Sequence, residues 1–214
     1  LAPAGGGSRH RQAWADGLDD DWAPETRTTE TDVGERSVAF VGLPILSKRV
    51  IFLVDFSGSL WEERDSGKTR KSVADVELRR ALEALPEDAM FNVMPYTDDP
   101  HPWKKALVPA TKKNVEKAIR DFERASYSGR GDFWEAALKA LEDPAVDTIV
   151  VLTDGAPTGD THWNLGLITS LFGERNRFRR VAVDALVVDA SRGLQRYWQD
   201  LTAASGGRFL ATEL

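Results

Sequence analysis

The stretch Val50-Ile51-Phe52-Leu53-Val54-Asp55-Phe56-Ser57-Gly58-Ser59 decides the fold. Five consecutive apolar residues bounded by Gly and Ser read as a strand buried on both faces of a parallel sheet, because an antiparallel strand with one wet face would alternate apolar and polar residues. Open α/β sheets place their ligand crevice at the carboxyl ends of such strands. Asp55, Ser57 and Ser59 fall there at alternate positions. A carboxylate and two hydroxyls are hard oxygen donors, the kind that Mg²⁺ or Mn²⁺ takes, so the pattern points to metal-dependent binding rather than catalysis.

Working outward, the chain from Ser37 alternates strand and helix. Candidate strands are Val38–Val41, Val50–Phe56, Phe91–Tyr96, Lys105–Val108, Thr148–Thr153, Val181–Val188 and Gly207–Ala211. Apolar stripes mark helices at Ala74/Leu78/Ala81/Leu82/Leu85, Val115/Ala118/Ile119/Phe122 and Leu194/Tyr197/Trp198/Leu201. Phe133, Trp134, Ala137, Leu138 and Leu141 cover more than one face, as in a sandwiched helix. Ser72 with Asp75, and Thr111 before Val115, read as cap signals. Lys105–Val108 follows Phe91–Tyr96 too closely for a helical crossover and is read as an antiparallel edge strand. The expectation is an α/β fold: a doubly wound, mostly parallel, Rossmann-like six-stranded sheet with one antiparallel edge strand and helices on both faces.

Composition narrows the function. The 214 residues suffice for one domain with some appended chain. A net charge of -6 argues against non-specific nucleic-acid binding. The absence of cysteine removes disulfides and thiolate metal sites, and no apolar run reaches the ~18 residues of a membrane span. Residues 1–36, with Ala4-Gly5-Gly6-Gly7-Ser8 and the polar run from Pro24 to Glu30, read as a flexible linker or the tail of an upstream region. Within it, Trp14, Leu18 and Trp22 at i, i+4, i+8 fit either a short helix or a loosely held aromatic tail. A chain beginning at Leu1 reads as a fragment.

A second buried strand, Thr148-Ile149-Val150-Val151-Leu152-Thr153, ends in Asp154-Gly155. If it neighbours the first, Asp55 and Asp154 share one sheet edge, where a single cation can bridge them. Asp-x-Ser-x-Ser after the first core strand, with a later apolar strand ending Thr-Asp-Gly, resembles the von Willebrand factor A-type domain over residues 37–214. The resemblance implies a metal-ion-dependent adhesion site in which Ser57 and Ser59 coordinate directly and Asp55 and Asp154 act directly or through water. It implies Mg²⁺ or Mn²⁺ in preference to Ca²⁺, a partner protein offering Asp or Glu to the open coordination position, and no bond-breaking chemistry. Similarity to bacterial A-type domains in particular implies an extracytoplasmic setting, periplasmic or at the cell surface.

One position departs from the family. Its remaining ligand is a threonine in a Gly-Gly-Thr-Asp-like loop; here the segment is Gly129-Arg130-Gly131-Asp132, and Gly131 stands where threonine belongs. Either a water replaces that ligand, or Asp132 turns inward as a further carboxylate. Trp61, Trp163 and Arg130 follow or flank the metal-bearing segments and are candidates for the ligand rim. Two other readings stand beside the binding module. A Mg²⁺-dependent phosphohydrolase is one, although Ser57 occupies the place where a second aspartate would serve as general acid. A structural domain with a degenerate metal site is the other. Gly67-Lys68-Thr69 lacks the upstream glycine of a phosphate-binding loop and reads as the lead-in to a helix. His10, His101 and His162 are isolated, with no pair at ligand spacing.

Overall fold

The computed structural model describes residues 39–40, 43–63, 67, 69–159, 162 and 164–212, which fall within the compact unit Arg36–Leu214. The linker read at 1–36, with Trp14, Leu18 and Trp22, lies outside the described residues, as does Trp163.

Six strands form one sheet: β3 (Arg49–Asp55), β4 (Met90–Tyr96), β5 (Val108–Pro109), β6 (Thr148–Thr153), β7 (Ala182–Val188) and β8 (Phe209–Thr212), in the order β5-β4-β3-β6-β7-β8. All neighbours are parallel except β4 and β5. Strand β3 is central. Its successor β4 lies on one side and β6 on the other, so the strand order reverses between β3 and β6, the place where doubly wound sheets open a crevice.

Alternation along each strand sorts the core into two layers. Val50, Phe52 and Val54, with Val93, Val150 and Leu152, meet helices α1 (Arg70–Ala84) and α2 (Lys112–Glu123). Ile51 and Leu53, with Met94, Ile149, Val151 and Val183, meet α3 (Phe133–Leu141), α4 (Leu165–Asn176) and α5 (Arg192–Ser205). Both faces of the sheet are therefore covered, which is why the β3 and β6 sequences are continuously apolar. At about 1.5–3 kcal/mol for each large side chain taken from water, these two layers are the main source of stability.

The structure differs from the sequence reading in detail. Ala39–Phe40 (β1) pairs antiparallel with Leu43–Pro44 (β2) in a separate two-stranded sheet rather than joining the large one. The antiparallel edge strand exists but sits at Val108–Pro109, later than Lys105–Val108. The preceding chain is held by side chains instead of a ladder: Asn92 exchanges hydrogen bonds with the Lys104 backbone, and the Leu107 N–H donates to Asp143 Oδ2 at 2.6 Å. Helix α1 starts earlier than the Ser72/Asp75 signal suggested. Its cap is Thr69, whose hydroxyl accepts from the Ser72 N–H at 3.1 Å, while Asp75 is occupied by Lys71 one turn away. Helix α4 gave no readable stripe because only Ile168, Phe172 and Asn176 are buried, a single narrow row whose third member is polar. Thr111 does cap α2, accepting from the Asn114 N–H. Thr111→Ala is expected to cost about 1 kcal/mol in thermal unfolding; an unchanged midpoint would show that the cap is immaterial.

Candidate metal centre

Asp55 ends β3, and Asp154 follows directly on β6. The β3–β6 register pairs Val54 with Leu152, so Asp154 stands one residue beyond the position level with Asp55. The two carboxylates, with Ser57, Ser59 and Thr153, line one cavity of about 20 Å³. That is room for roughly one water-sized species. The Ser57 and Ser59 hydroxyl oxygens are 3.2 Å apart. They are presented by a turn that enters a short 3-10 helix, Gly58–Trp61.

Asp55 is the anchor. It is 3% exposed; its Oδ1 accepts from the Ser57 N–H at 2.9 Å and its Oδ2 from the Thr153 hydroxyl at 2.8 Å. Thr153 in turn accepts from the Gly155 N–H, tying the Asp154–Gly155 turn to the same carboxylate. Burial, with a smaller contribution from the Asp154 charge, raises the Asp55 pKa to about 6 against the pull of the Ser57 N–H. Tyr96, level with Asp55 across β3–β4, buries its hydroxyl there without a well-formed hydrogen bond. Burial and then the Asp55 charge push that phenol well above its usual pKa. Two carboxylates facing one small cavity repel one another, and that repulsion contributes to the raised Asp55 pKa.

Gly131 lies against this carboxylate. A Cβ there would stand 2.8 Å from Asp55 Oδ1 and 2.9 Å from Oδ2, so no side chain fits at 131 without moving Asp55. Loop 129–132 is instead fastened by backbone: the Gly131 N–H donates to the Thr158 hydroxyl, and the Thr158 N–H donates to the Gly131 carbonyl. Gly131→Ala is expected to lower stability by about 1–3 kcal/mol through this clash; a variant as stable as the parent would mean that the loop yields freely.

The remaining sequence candidates take other places. Asp132 is buried as the cap of α3, its Oδ1 accepting from the Glu135 N–H at 3.1 Å, and it is not among the residues lining the cavity. Among the described residues no group of three His, Asp or Glu side chains is arranged to hold a metal, so any cation here depends on the serine hydroxyls. Arg130 is engaged by Asp98, through Nε at 2.7 Å and its backbone N–H at 3.3 Å. Trp61 is half-buried and packs edge-on against Phe56, with the Lys71 ammonium 5.9 Å from its ring. Its ring thus belongs to the apolar layer beneath the loop. His162 lies edge-on to Trp134.

Sequence reading passed over Thr153, Tyr96 and Arg70, all at the same edge. Thr153 and Tyr96 were visible as the polar last residues of apolar strands, but nothing local marks Arg70, which reaches the cavity from the first turn of α1.

Comparison with known proteins agrees with the fold. No family model matches the chain. Among curated relatives, mouse inter alpha-trypsin inhibitor heavy chain 4 is 32% identical over 133 residues, 56% of this chain and 14% of that protein. Bovine inter-alpha-trypsin inhibitor heavy chain H3 is 31% identical over 126 residues, 53% of this chain and again 14% of the relative. The chain thus spans about a seventh of the length of these relatives. Of solved structures, a von Willebrand factor type A protein from Catenulispora acidiphila superposes with a TM-score of 0.64 at 17% identity, covering 79% of this chain and 39% of that one. The pilus adhesin SpaC from Lactobacillus rhamnosus GG superposes with a TM-score of 0.58 at 12% identity, covering 77% and 28%.

Proposed function

We propose that this chain, which has the von Willebrand factor A-type fold, is a non-enzymatic binding module that captures an acidic side chain of a partner protein through Mg²⁺ or Mn²⁺. Asp55, Ser57, Ser59 and Asp154 hold the cation, and water completes its coordination. The observation that carries this reading is the convergence of those four side chains on one cavity of about 20 Å³ at the strand-order reversal. Its donor set suits a hard divalent ion, and two hydroxyls among the donors leave much of the ionic charge for an incoming carboxylate. When bound, the cation supplies a Lewis-acidic site for that carboxylate. The chain's own residues do the rest: Thr153 and the Ser57 N–H orient Asp55, and the Thr158–Gly131 bonds hold the neighbouring loop closed.

Adhesins and pilins among the structural neighbours support an extracytoplasmic location for the domain. No helix among the described residues is long and apolar enough to cross a membrane.

Calorimetric titration of Mn²⁺ into the parent and the Ser57→Ala/Ser59→Ala double variant tests the site. Single-site binding in the parent, weakened at least tenfold in the variant, is the expected result. Equal binding in both would remove the site. No binding in either would favour the reading of a structural domain with a degenerate site, which the Gly131 contact with Asp55 supports. Phosphatase turnover lost in Asp55→Asn would instead favour a phosphohydrolase.

A further inference from the structure

We infer that Arg70 is a specificity-determining residue of this cavity: its guanidinium receives one oxygen of the incoming carboxylate and so selects an acidic ligand over its neutral amide counterpart. The inference rests on the proposed metal-site reading and extends it to a residue outside the donor set.

Arg70 is the first residue of α1 and lines the same cavity as Asp55, Ser57, Ser59 and Asp154. Its Nη1 donates to the Ser59 carbonyl at 2.9 Å and its Nε to Asp189 Oδ2 at 3.2 Å. These two bonds hold the guanidinium plane beside the serine turn. Among the described residues, the terminal Nη2 makes no hydrogen bond. The side chain is 19% exposed, so it is anchored yet reachable.

Its placement carries two electrostatic costs, which the Asp189 ion pair offsets in part. A cation in the first turn opposes the helix macrodipole, and α1 has no acidic residue in that turn to offset it. A guanidinium beside a divalent-cation site also repels the ion it adjoins. Both costs become useful when an anion arrives. A guanidinium with a free terminal N–H donates a charge-assisted bond to a carboxylate oxygen, and such bonds are about twice as strong as neutral ones. One carboxylate oxygen accepts from Nη2, and the other remains for the cation. An amide offers a single weakly charged oxygen, so the same arrangement discriminates against Asn and Gln.

A scaffold role and a recognition role separate experimentally. Mn²⁺ affinity is measured by calorimetry, and binding of acetate and acetamide by water-proton relaxation of the Mn²⁺-loaded protein. In Arg70→Gln, Mn²⁺ affinity is expected to be unchanged or tighter, because a neighbouring positive charge is removed. Acetate is expected to bind about tenfold more weakly, with acetamide unaffected. Arg70→Lys keeps the charge but cannot make both anchoring bonds and present a further N–H, and is expected to fall between parent and Arg70→Gln. Acetate affinity equal in parent and Arg70→Gln, with Mn²⁺ bound in both, would overturn the inference. So would Mn²⁺ affinity falling in parallel with acetate, the signature of a merely structural arginine. Absence of Mn²⁺ binding in the parent would instead overturn the site itself, and this inference with it.

Discussion

Asp55→Asn is expected to stabilise the metal-free domain while abolishing its response to divalent cations. The carboxylate is buried, and its pKa is raised from 3.8 to about 6, chiefly by desolvation. Between those values the folded state holds a proton that the unfolded chain has released. Stability therefore falls as pH rises through this window, and the whole deficit is present above it. At about 1.4 kcal/mol per pKa unit, the deficit at neutral pH is about 3 kcal/mol. Asparagine keeps the acceptor for the Ser57 N–H, offers an amide to the Thr153 hydroxyl, and carries no charge to desolvate. In chelator at pH 7.5 the variant is expected to melt roughly 5 °C or more above the parent. Its stability is expected to lack the parent's decline between pH 4 and 6. Saturating Mg²⁺ is expected to raise the parent by binding to the folded state alone, and to leave the variant where it was. A variant less stable than the metal-free parent would show that the hydrogen bonds to Asp55 outweigh its desolvation.

Trp198→Ala is expected to be the most damaging single substitution away from the donor set. Trp198 is fully buried on α5, edge-on to Phe133 at 4.8 Å and to Tyr197 at 5.3 Å. Its Nε1–H donates to the Gly155 carbonyl at 3.0 Å. Deleting the ring leaves a large cavity, at a typical cost of about 3–5 kcal/mol, and strips that carbonyl of its donor. Gly155 adopts φ +114°, and a Cβ there would meet Ala190 at 2.9 Å, so this turn depends on close packing with the start of α5. The effect thus extends to the neighbouring Asp154. Trp198→Phe retains most of the buried area and releases only the carbonyl. It is expected to cost about 1–3 kcal/mol and to weaken Mn²⁺ binding measurably. Unaltered Mn²⁺ affinity in a folded Trp198→Phe protein would show that α5 does not support the Asp154 turn.

The three-layer α/β/α architecture was legible in the sequence because the evidence for it is local. Val50–Val54 and Ile149–Leu152 are continuously apolar since both faces of the sheet are covered, and α2 announces itself through Val115, Ala118, Ile119 and Phe122, all buried on one face. Likewise, Asp55, Ser57, Ser59 and Asp154 were identifiable because each follows the end of such a run, and strand ends in a parallel sheet share an edge. Helix α4 escaped because a helix that buries one narrow row needs few apolar residues, and one of the three buried here is Asn176.

What the amino-acid order determined by itself, then, is the sheet, its two covered faces and the edge at which Asp55, Ser57, Ser59 and Asp154 emerge, since these follow from runs and periodicities within single segments. Tertiary structure alone decided which further groups surround these four residues: Thr153 on Asp55, Gly131 pressed against the same carboxylate, Tyr96 level with it, and Arg70 reaching in from α1. Such contacts depend on the register between strands and on how helices lie across them, and those are set by the packing of residues far apart in the chain.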